Sequence, residues 1–391
     1  MFLLDLLILL SFVWIFRKLF HAIKLPPLFG EIFAGVMAGP IILGLVHETE
    51  AMKILAELGI FFLMFHSGLE SEPEDIFKNS KNAIFVTFSN LILTVLGSIL
   101  LGWIFNLDTR TTIFLSLILS VTAVTIATRV FKDAKISRSK VANTVKASAV
   151  MTEVLILAAF SIFLDLGKPE AVFDLKSLLF DLLKFASYFA VVFYVGHHYF
   201  KYLYRFFYKG NKGFTFSVII ALTLGVIAEA IGLHFIIGAF LAGLFLHQEL
   251  FEESVFKKIE DRTFGISYSF LAPIFFATLA FHLNFSAIFV APIFAISVLL
   301  VVIAAKIIGS GLAAHFRGLS KYEALGIGLG MNSRGAVDLI IASIALQTNL
   351  ISQEIFSILV FVSFISTFIS IMGIKIIGEK LKKNPLKKET S

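Results

Sequence analysis

Leu119-Ser120-Val121-Thr122-Ala123-Val124-Thr125 interrupts an apolar run that extends over residues 111–131. Small and hydroxyl-bearing side chains stand where an unbroken membrane helix would carry large aliphatic ones. A second stretch, Gly328-Leu329-Gly330-Met331-Asn332-Ser333-Arg334-Gly335, breaks the run 322–346 in a similar way and lies in the corresponding part of the other half. Either stretch alone reads as close helix packing through small residues. As a pair, each beside a charge within the apolar runs, they point to an inverted-repeat transporter with its site at the membrane midplane.

The rest of the chain fits that frame. Of its 391 residues 58% are hydrophobic and only 15% charged, where a soluble domain carries about a quarter. Phe occurs 45 times, and mean hydropathy is +0.93. Apolar runs longer than about 18 residues recur throughout, each enough to cross a ~30 Å hydrocarbon core as a helix. The runs are continuous rather than alternating, which excludes a β-barrel. The expected fold is an all-α polytopic membrane protein of about thirteen spans, at 2–16, 26–46, 51–69, 82–106, 111–131, 141–164, 178–200, 213–231, 233–248, 265–282, 286–313, 322–346 and 353–376.

Alternate loops concentrate basic residues: Arg17, Lys18 and Lys24, then Lys78 and Lys81, then Lys132, Lys135, Arg138 and Lys140. Lys201, Arg205, Lys209 and Lys212, then Lys257, Lys258 and Arg262, then Arg317 and Lys321 continue the series. The intervening loops hold few, such as Lys53, Arg110, Lys168 and Lys176. The positive-inside rule then puts the N-terminus outside and the C-terminus in the cytoplasm of a multi-pass cell (inner) membrane protein. Residues 1–378 form one transmembrane domain, and 379–391 a short basic cytoplasmic tail that includes Lys387 and Lys388. The net charge of +6 reflects these loops, so no nucleic-acid partner is expected. The absence of Cys excludes disulfide, thiol and zinc–thiolate chemistry. Residues 1–16 lack a basic start and a cleavage site and contain Asp5, so they read as a span rather than a signal peptide.

Ionisable groups within spans are costly and mark function by default. Glu153 lies mid-span in Met151-Thr152-Glu153-Val154, and Lys306 in Ala304-Ala305-Lys306-Ile307. Arg334 and Asp338 are four apart, so an i,i+4 pair on one helical face is available. A buried carboxylate suits cation–proton exchange, because cation and proton compete for it and hard cations prefer oxygen ligands. Thr122, Thr125 and Thr152 offer hydroxyl oxygens, and unwound backbone offers carbonyls. Lys306 reads either as a counter-ion of the empty carboxylate or as a proton carrier. Arg334 reads as structural, since its guanidinium stays charged and can hold an unwound segment. Lys146, two turns before Glu153, shares its helical face and lies nearer the cytoplasmic end. Glu70 completes the set of charges; Glu31, Glu57 and Glu229, and His66, His234, His247 and His282, read as packing or interface groups, with pH sensing the alternative for the histidines.

Further motifs carry a resemblance. Leu25-Pro26-Pro27 with Gly30-Glu31, Gly35, Gly39-Pro40 and Gly44 comes first, then Phe65-His66-Ser67-Gly68-Leu69-Glu70. Gly232-Leu233, Gly238-Ala239-Phe240-Leu241-Ala242-Gly243, Pro273-Ile274-Phe275-Phe276 and Ser333-Arg334-Gly335 follow in order. Together they resemble the cation:proton antiporter superfamily in its type-two, Kef-like branch. The resemblance implies a core bundle with two crossed, partly unwound helices and a separate dimerisation bundle, working by elevator-like alternating access as a homodimer in the lipid bilayer. It implies Na+ or K+ and H+ as substrates, with no cofactor. It places Glu153 at the family's ion-binding Asp and Lys306 at its core Lys. Thr122 and Thr125 then fall in the first unwound helix, and Asn332, Ser333 and Arg334 in the second, with Asp338 beside it. Where electrogenic relatives carry an Asp-Asp pair this chain has Thr152-Glu153, which implies electroneutral exchange. A Kef-like potassium efflux protein with channel-like conduction and a non-transporting sensor or assembly subunit stay open as alternatives. No nucleophile elbow, metal-ligand cluster or phosphate loop supports an enzyme.

Overall fold

A computed structural model describes residues 2–71, 80–164, 175–207, 213–246 and 253–383. The expectations for Lys78, Lys168, Lys209, Lys212, His247, Lys387 and Lys388 fall outside them. Every regular element among the described residues is helical. That is the form in which a chain in lipid satisfies its own backbone groups.

The helices are α1 (Phe2–Ala22), α2 (Pro27–Ala38), α3 (Glu50–Glu70), α4 (Ser80–Ile104), α5 (Thr109–Ser120), α6 (Val124–Asp133) and α7 (Lys140–Leu164). They continue as α8 (Leu175–Phe207), α9 (Gly213–Ala230), α10 (Phe235–Phe245), α11 (Glu253–Ile266) and α12 (Ala272–Leu279). The last are α13 (Ser286–Val290), α14 (Pro292–Ile303), α15 (Ser310–Phe316), α16 (Lys321–Met331), α17 (Ala336–Gln347) and α18 (Gln353–Lys383). Two π-helical turns, Ser267–Leu271 and Ala304–Gly309, join α11 to α12 and α14 to α15.

With α5–α6, α11–α12, α14–α15 and α16–α17 each read as one span, ten helices among the described residues are long and apolar enough to cross a membrane. The expected count of thirteen also needed 2–16, 26–46 and 233–248. These are α1, which is not among the ten, and the short helices α2 and α10. Gly39-Pro40 ends α2 early, because proline disfavours helix in the residue before it. Helix α11 starts at Glu253, so Lys257, Lys258 and Arg262 lie on a helix rather than in a loop. Helix α18 runs on to Lys383, past the expected boundary at 378.

The chain divides into two compact units. Unit 1 comprises residues 1–72 and 161–283, and unit 2 comprises 73–160 and 284–391. Each draws helices from both halves of the sequence, as an inverted repeat requires.

In unit 1, α3 packs against α10 through glycine. A side chain at Gly68 would place its first carbon 2.1 Å from the Phe240 carbonyl, and one at Gly243 the same distance from that of Phe65. Backbones approach this closely only through small residues, which is the physical content of the glycine-rich motif at 238–243. Glu31 pairs with Arg17 at 3.3 Å, and Arg17 donates to the Tyr268 carbonyl. His66 lies 3.3 Å from Glu70 and against the stacked rings of Phe264 and Tyr268. His234 caps α10, and His282 lies 3.6 Å from Glu48. The packing readings of Glu31 and these histidines match this placement, whereas Glu57 and Glu229 are exposed.

Candidate functional site

The site is built in unit 2 from two helices that each stop and restart. Helix α5 ends at Ser120, the chain runs extended through Val121 and Ala123, and α6 resumes at Val124. Helix α16 ends at Met331, and α17 resumes at Ala336. The two breaks meet: the Ala123 amide donates to the Ser333 carbonyl at 2.9 Å, and the Thr122 hydroxyl to the Met331 carbonyl at 2.9 Å.

A helix that stops leaves carbonyls without intrahelical partners, and its C-terminus carries partial negative charge. In lipid those carbonyls must find donors within the protein. At the end of α5 the donors are cations. Arg334 reaches the Ile118 carbonyl at 2.8 Å and that of Leu119 at 3.1 Å. Lys306 donates to the carbonyls of Ser120 (2.9 Å) and Val121 (2.7 Å) and to the Thr122 hydroxyl (2.9 Å). All three ammonium donors are thus placed on the first break. The π turn carries Lys306 inward, to full burial. Such one-turn insertions recur at functional sites.

The second break is held differently. Arg334 and Asp338 form the i,i+4 ion pair at 3.1 Å, both fully buried. Asp338 also accepts from the Gly335 amide at 2.6 Å and from Ser363 at 2.7 Å. Helix α18 supplies the rest. Ser366 donates to the backbone and side chain of Asn332, whose amide returns a bond to the Ser366 carbonyl. Thr367 accepts from the Arg334 amide and donates to its carbonyl. Ser370 pairs with Ser333 and donates to the Leu329 carbonyl.

Glu153 lies on α7, 1% exposed. Ala149 and Val150, four and three residues before it, form a buried cluster with Val124, the first residue of α6. Residues three and four apart share a helical face, so Glu153 continues the face of α7 that meets the restart of the first broken helix. Thr152 is fully buried, and its hydroxyl donates to the Ser148 carbonyl at 2.7 Å. Thr125 stands in the first turn of α6, partly buried, and Lys146 is half-buried on α7. The candidates on the broken helices and Lys306 therefore meet around two crossed breaks, with Glu153 and Thr152 on the adjacent helix. The sequence reading passed over the α18 hydroxyls and Asn90 of α4, whose amide donates to the Ser120 carbonyl at 3.2 Å. Their signal is spacing: 363, 366, 367 and 370 fall at i, i+3, i+4 and i+7, one stripe of a helix.

A membrane fold with crossed, interrupted helices and buried charges at the crossing defines a secondary transporter of the antiporter type. The pattern of the family described as sodium/hydrogen exchanger, transmembrane, matches residues 7–380, and the chain belongs to that family. It is 31% identical over 363 residues to a Na(+)/H(+) antiporter of Enterococcus hirae, covering 92% of this chain and 94% of that one. It is 28% identical over 350 residues to the Na(+)/H(+)-K(+) antiporter GerN of Bacillus cereus, covering 88% of each. Its fold matches the sodium proton antiporter MjNhaP1 of Methanocaldococcus jannaschii with a TM-score of 0.75, over 96% of this chain and 97% of that one, at 17% identity.

Proposed function

We propose that the chain exchanges Na+ or K+ for H+ by alternating access, with Glu153 as the carboxylate at which cation and proton compete. The observation that carries this reading is the meeting of two broken helices in unit 2, with Lys306 and Arg334 on the carbonyls of the first and Glu153 buried alongside. Hard cations take oxygen ligands, and the Glu153 carboxylate, the hydroxyls of Thr122, Thr125 and Thr152 and the unwound carbonyls are of that kind. A core carrying neither ion holds an uncompensated buried charge, which costs several kcal/mol, so it is hindered from crossing. That coupling makes exchange obligatory. Thr152-Glu153 offers one ionisable side chain rather than two, which supports one-for-one, electroneutral exchange. The activities for which these relatives are named support the cation class.

Unit 1 is assigned to homodimer formation. Glu57 and Glu229 stand exposed on its apolar helices, and a second copy would remove them from lipid, where a carboxylate is expensive. In unit 2 the contact of Arg317 with Asn82 and the stacking of Lys380 on Tyr322 gather helix ends at one face. Exposed Lys81, Arg317, Lys321 and Lys380 make that face basic, which supports a cytoplasmic position for it at the inner membrane.

The test is cation-induced dequenching of a pH-sensitive dye in proteoliposomes, comparing wild type with Glu153→Gln across Na+, K+ and Li+. A cation-dependent signal in wild type that falls at least ~100-fold in the mutant, the scale of losing an essential group, supports both activity and site. Undiminished exchange in a folded Glu153→Gln protein removes the site assignment. Silence of the wild type with every ion removes the activity.

A further inference from the structure

Helix α4 carries a stripe of buried polar residues, Thr87, Asn90, Thr94 and Ser98, along an otherwise apolar span. Thr87 donates to the Ser148 carbonyl on α7, the same oxygen that receives Thr152 one turn before Glu153. Ser89 donates to the Gly309 carbonyl at 3.0 Å, at the end of the π turn that carries Lys306. Asn90, the next residue, donates to the Ser120 carbonyl at 3.2 Å, and Lys306 takes that same oxygen at 2.9 Å. Thr94 donates back to the Asn90 side-chain oxygen at 3.5 Å, which leaves the amide nitrogen facing Ser120. Consecutive residues of α4 thus grip the two partners that the Lys306–Ser120 bond joins.

An amide fully buried in a membrane helix is costly unless it is hydrogen-bonded, and Asn90 bonds a carbonyl of the first break that also receives Lys306. We infer that Asn90 is a positioning residue of the exchange cycle: it is the resident donor that keeps the Ser120 carbonyl satisfied whenever Lys306 lets go of it. This rests on the proposed exchange reading, taken together with Lys306 as the counter-ion of the empty Glu153 carboxylate. Without the amide, each release of Lys306 strands a buried helix-terminal carbonyl, so release becomes the hindered step. Cation capture at Glu153 does not involve Asn90 directly. The inference therefore separates turnover from affinity.

Wild type and the variants Asn90→Ala, Asn90→Thr and Asn90→Asp are compared in the dye assay across pH, and by melting of purified protein across pH, which requires no transport. Asn90→Ala is expected to lose roughly tenfold in turnover, the scale of one buried hydrogen bond, with half-saturating cation within about twofold of wild type. Asn90→Thr, which keeps a donor, should recover most of the turnover. Asn90→Asp places a carboxyl beside Lys306 and should move the pH profiles of exchange and of melting by about one unit. Wild-type turnover and pH profile in Asn90→Ala would overturn the inference. So would equal losses in Asn90→Ala and Asn90→Thr with unmoved pH profiles, the signature of a residue that only packs. Should Asn90→Ala not fold, Asn90→Thr and Asn90→Asp decide: wild-type pH profiles of melting in both overturn it. A wild type without cation-dependent flux is a different result. It removes the exchange reading, and Asn90 is then judged on melting alone by the same criterion.

Discussion

The two breaks solve one problem with opposite chemistry. Both leave helix-end carbonyls in the buried interior of unit 2. At the first, the carbonyls of Ile118, Leu119, Ser120 and Val121 are held by Lys306 and Asn90 from other helices and by Arg334 from the second break. At the second, Leu329, Asn332 and Arg334 are held by hydroxyls of one helix, α18, while Asp338 closes the restart. Neutral hydroxyls locked in reciprocal pairs form a rigid frame. An ammonium on three oxygens is a movable charge, because it can trade those oxygens for others when a cation arrives. The first break is thus where the ion chemistry belongs, and the second is the scaffold it works against.

Arg334 lies in the second break and holds carbonyls of the first, and removing it should give the largest effect. Arg334→Leu strips donors from Ile118 and Leu119 and leaves Asp338 buried without its counter-ion. Breaking a buried pair costs about 3–5 kcal/mol, so the variant should fail to accumulate as folded protein, by gel filtration after extraction. The double variant Arg334→Leu with Asp338→Asn, which removes the stranded charge, should recover part of the folded yield. A folded and fully active Arg334→Leu protein would show that the two breaks are not held by a common residue.

The hydroxyl frame should respond more mildly and in a different currency. Thr367→Val deletes both bonds to the Arg334 backbone at nearly constant volume. It should lower stability by roughly 1–3 kcal/mol, the cost of unsatisfied buried groups, read as a lower melting temperature. Half-saturating cation should change less than about twofold, since the bonds lie on the scaffold side. A cation affinity that falls along with melting would erase the distinction between frame and ion side.

The charges and the breaks were legible in the sequence, whereas the groups that hold them were not. Glu153, Lys306, Arg334 and Asp338 stand out because a charge within an apolar run has no inexpensive explanation. Asn332 and Ser333 were found because they sit in the interruption. The α18 residues Ser363, Ser366, Thr367 and Ser370 escaped because hydroxyls in membrane helices commonly bond their own preceding turn, as Ser98 does with the Thr94 carbonyl. Only the stripe they form reveals a facing partner. The partner of Lys306 was out of reach for another reason. Its register is set by the π turn at Ala304–Gly309, and no residue type in Ala-Ala-Lys-Ile-Ile-Gly demands an extra residue per turn. The sequence therefore offered Glu153 as a partner, and the fold gives Lys306 the carbonyls of α5. Helix lengths failed at α2 and α10, where hydropathy continues past the residues that end the helix.

The smallest expected effect compares the two ends of α5 itself. Its C-terminus is held by cations in a dry interior, and its N-terminus is capped by exposed Asp108, whose carboxylate accepts from the Thr111 amide at 3.1 Å. Partial burial alone would push the Asp108 carboxyl up, but hydrogen bonds from Thr111 and from the Arg110 backbone outweigh it, and it lies below the usual Asp value. A carboxyl held lower in the folded state stabilises fully above its unfolded value, near pH ~3.9, and the contribution is lost as pH falls through the folded value. Asp108→Ala should therefore cost about 1 kcal/mol near neutral pH, the ordinary worth of an N-cap. The melting difference from wild type should shrink below about pH 4 as the wild-type cap protonates. Exchange at neutral pH should be unaltered, because water substitutes at the exposed N-terminus for what the cap supplied. If instead Asp108→Ala slowed exchange as strongly as the loss of a donor at Ser120, the two ends of α5 would be equivalent, and the special role given to the dry end would fall.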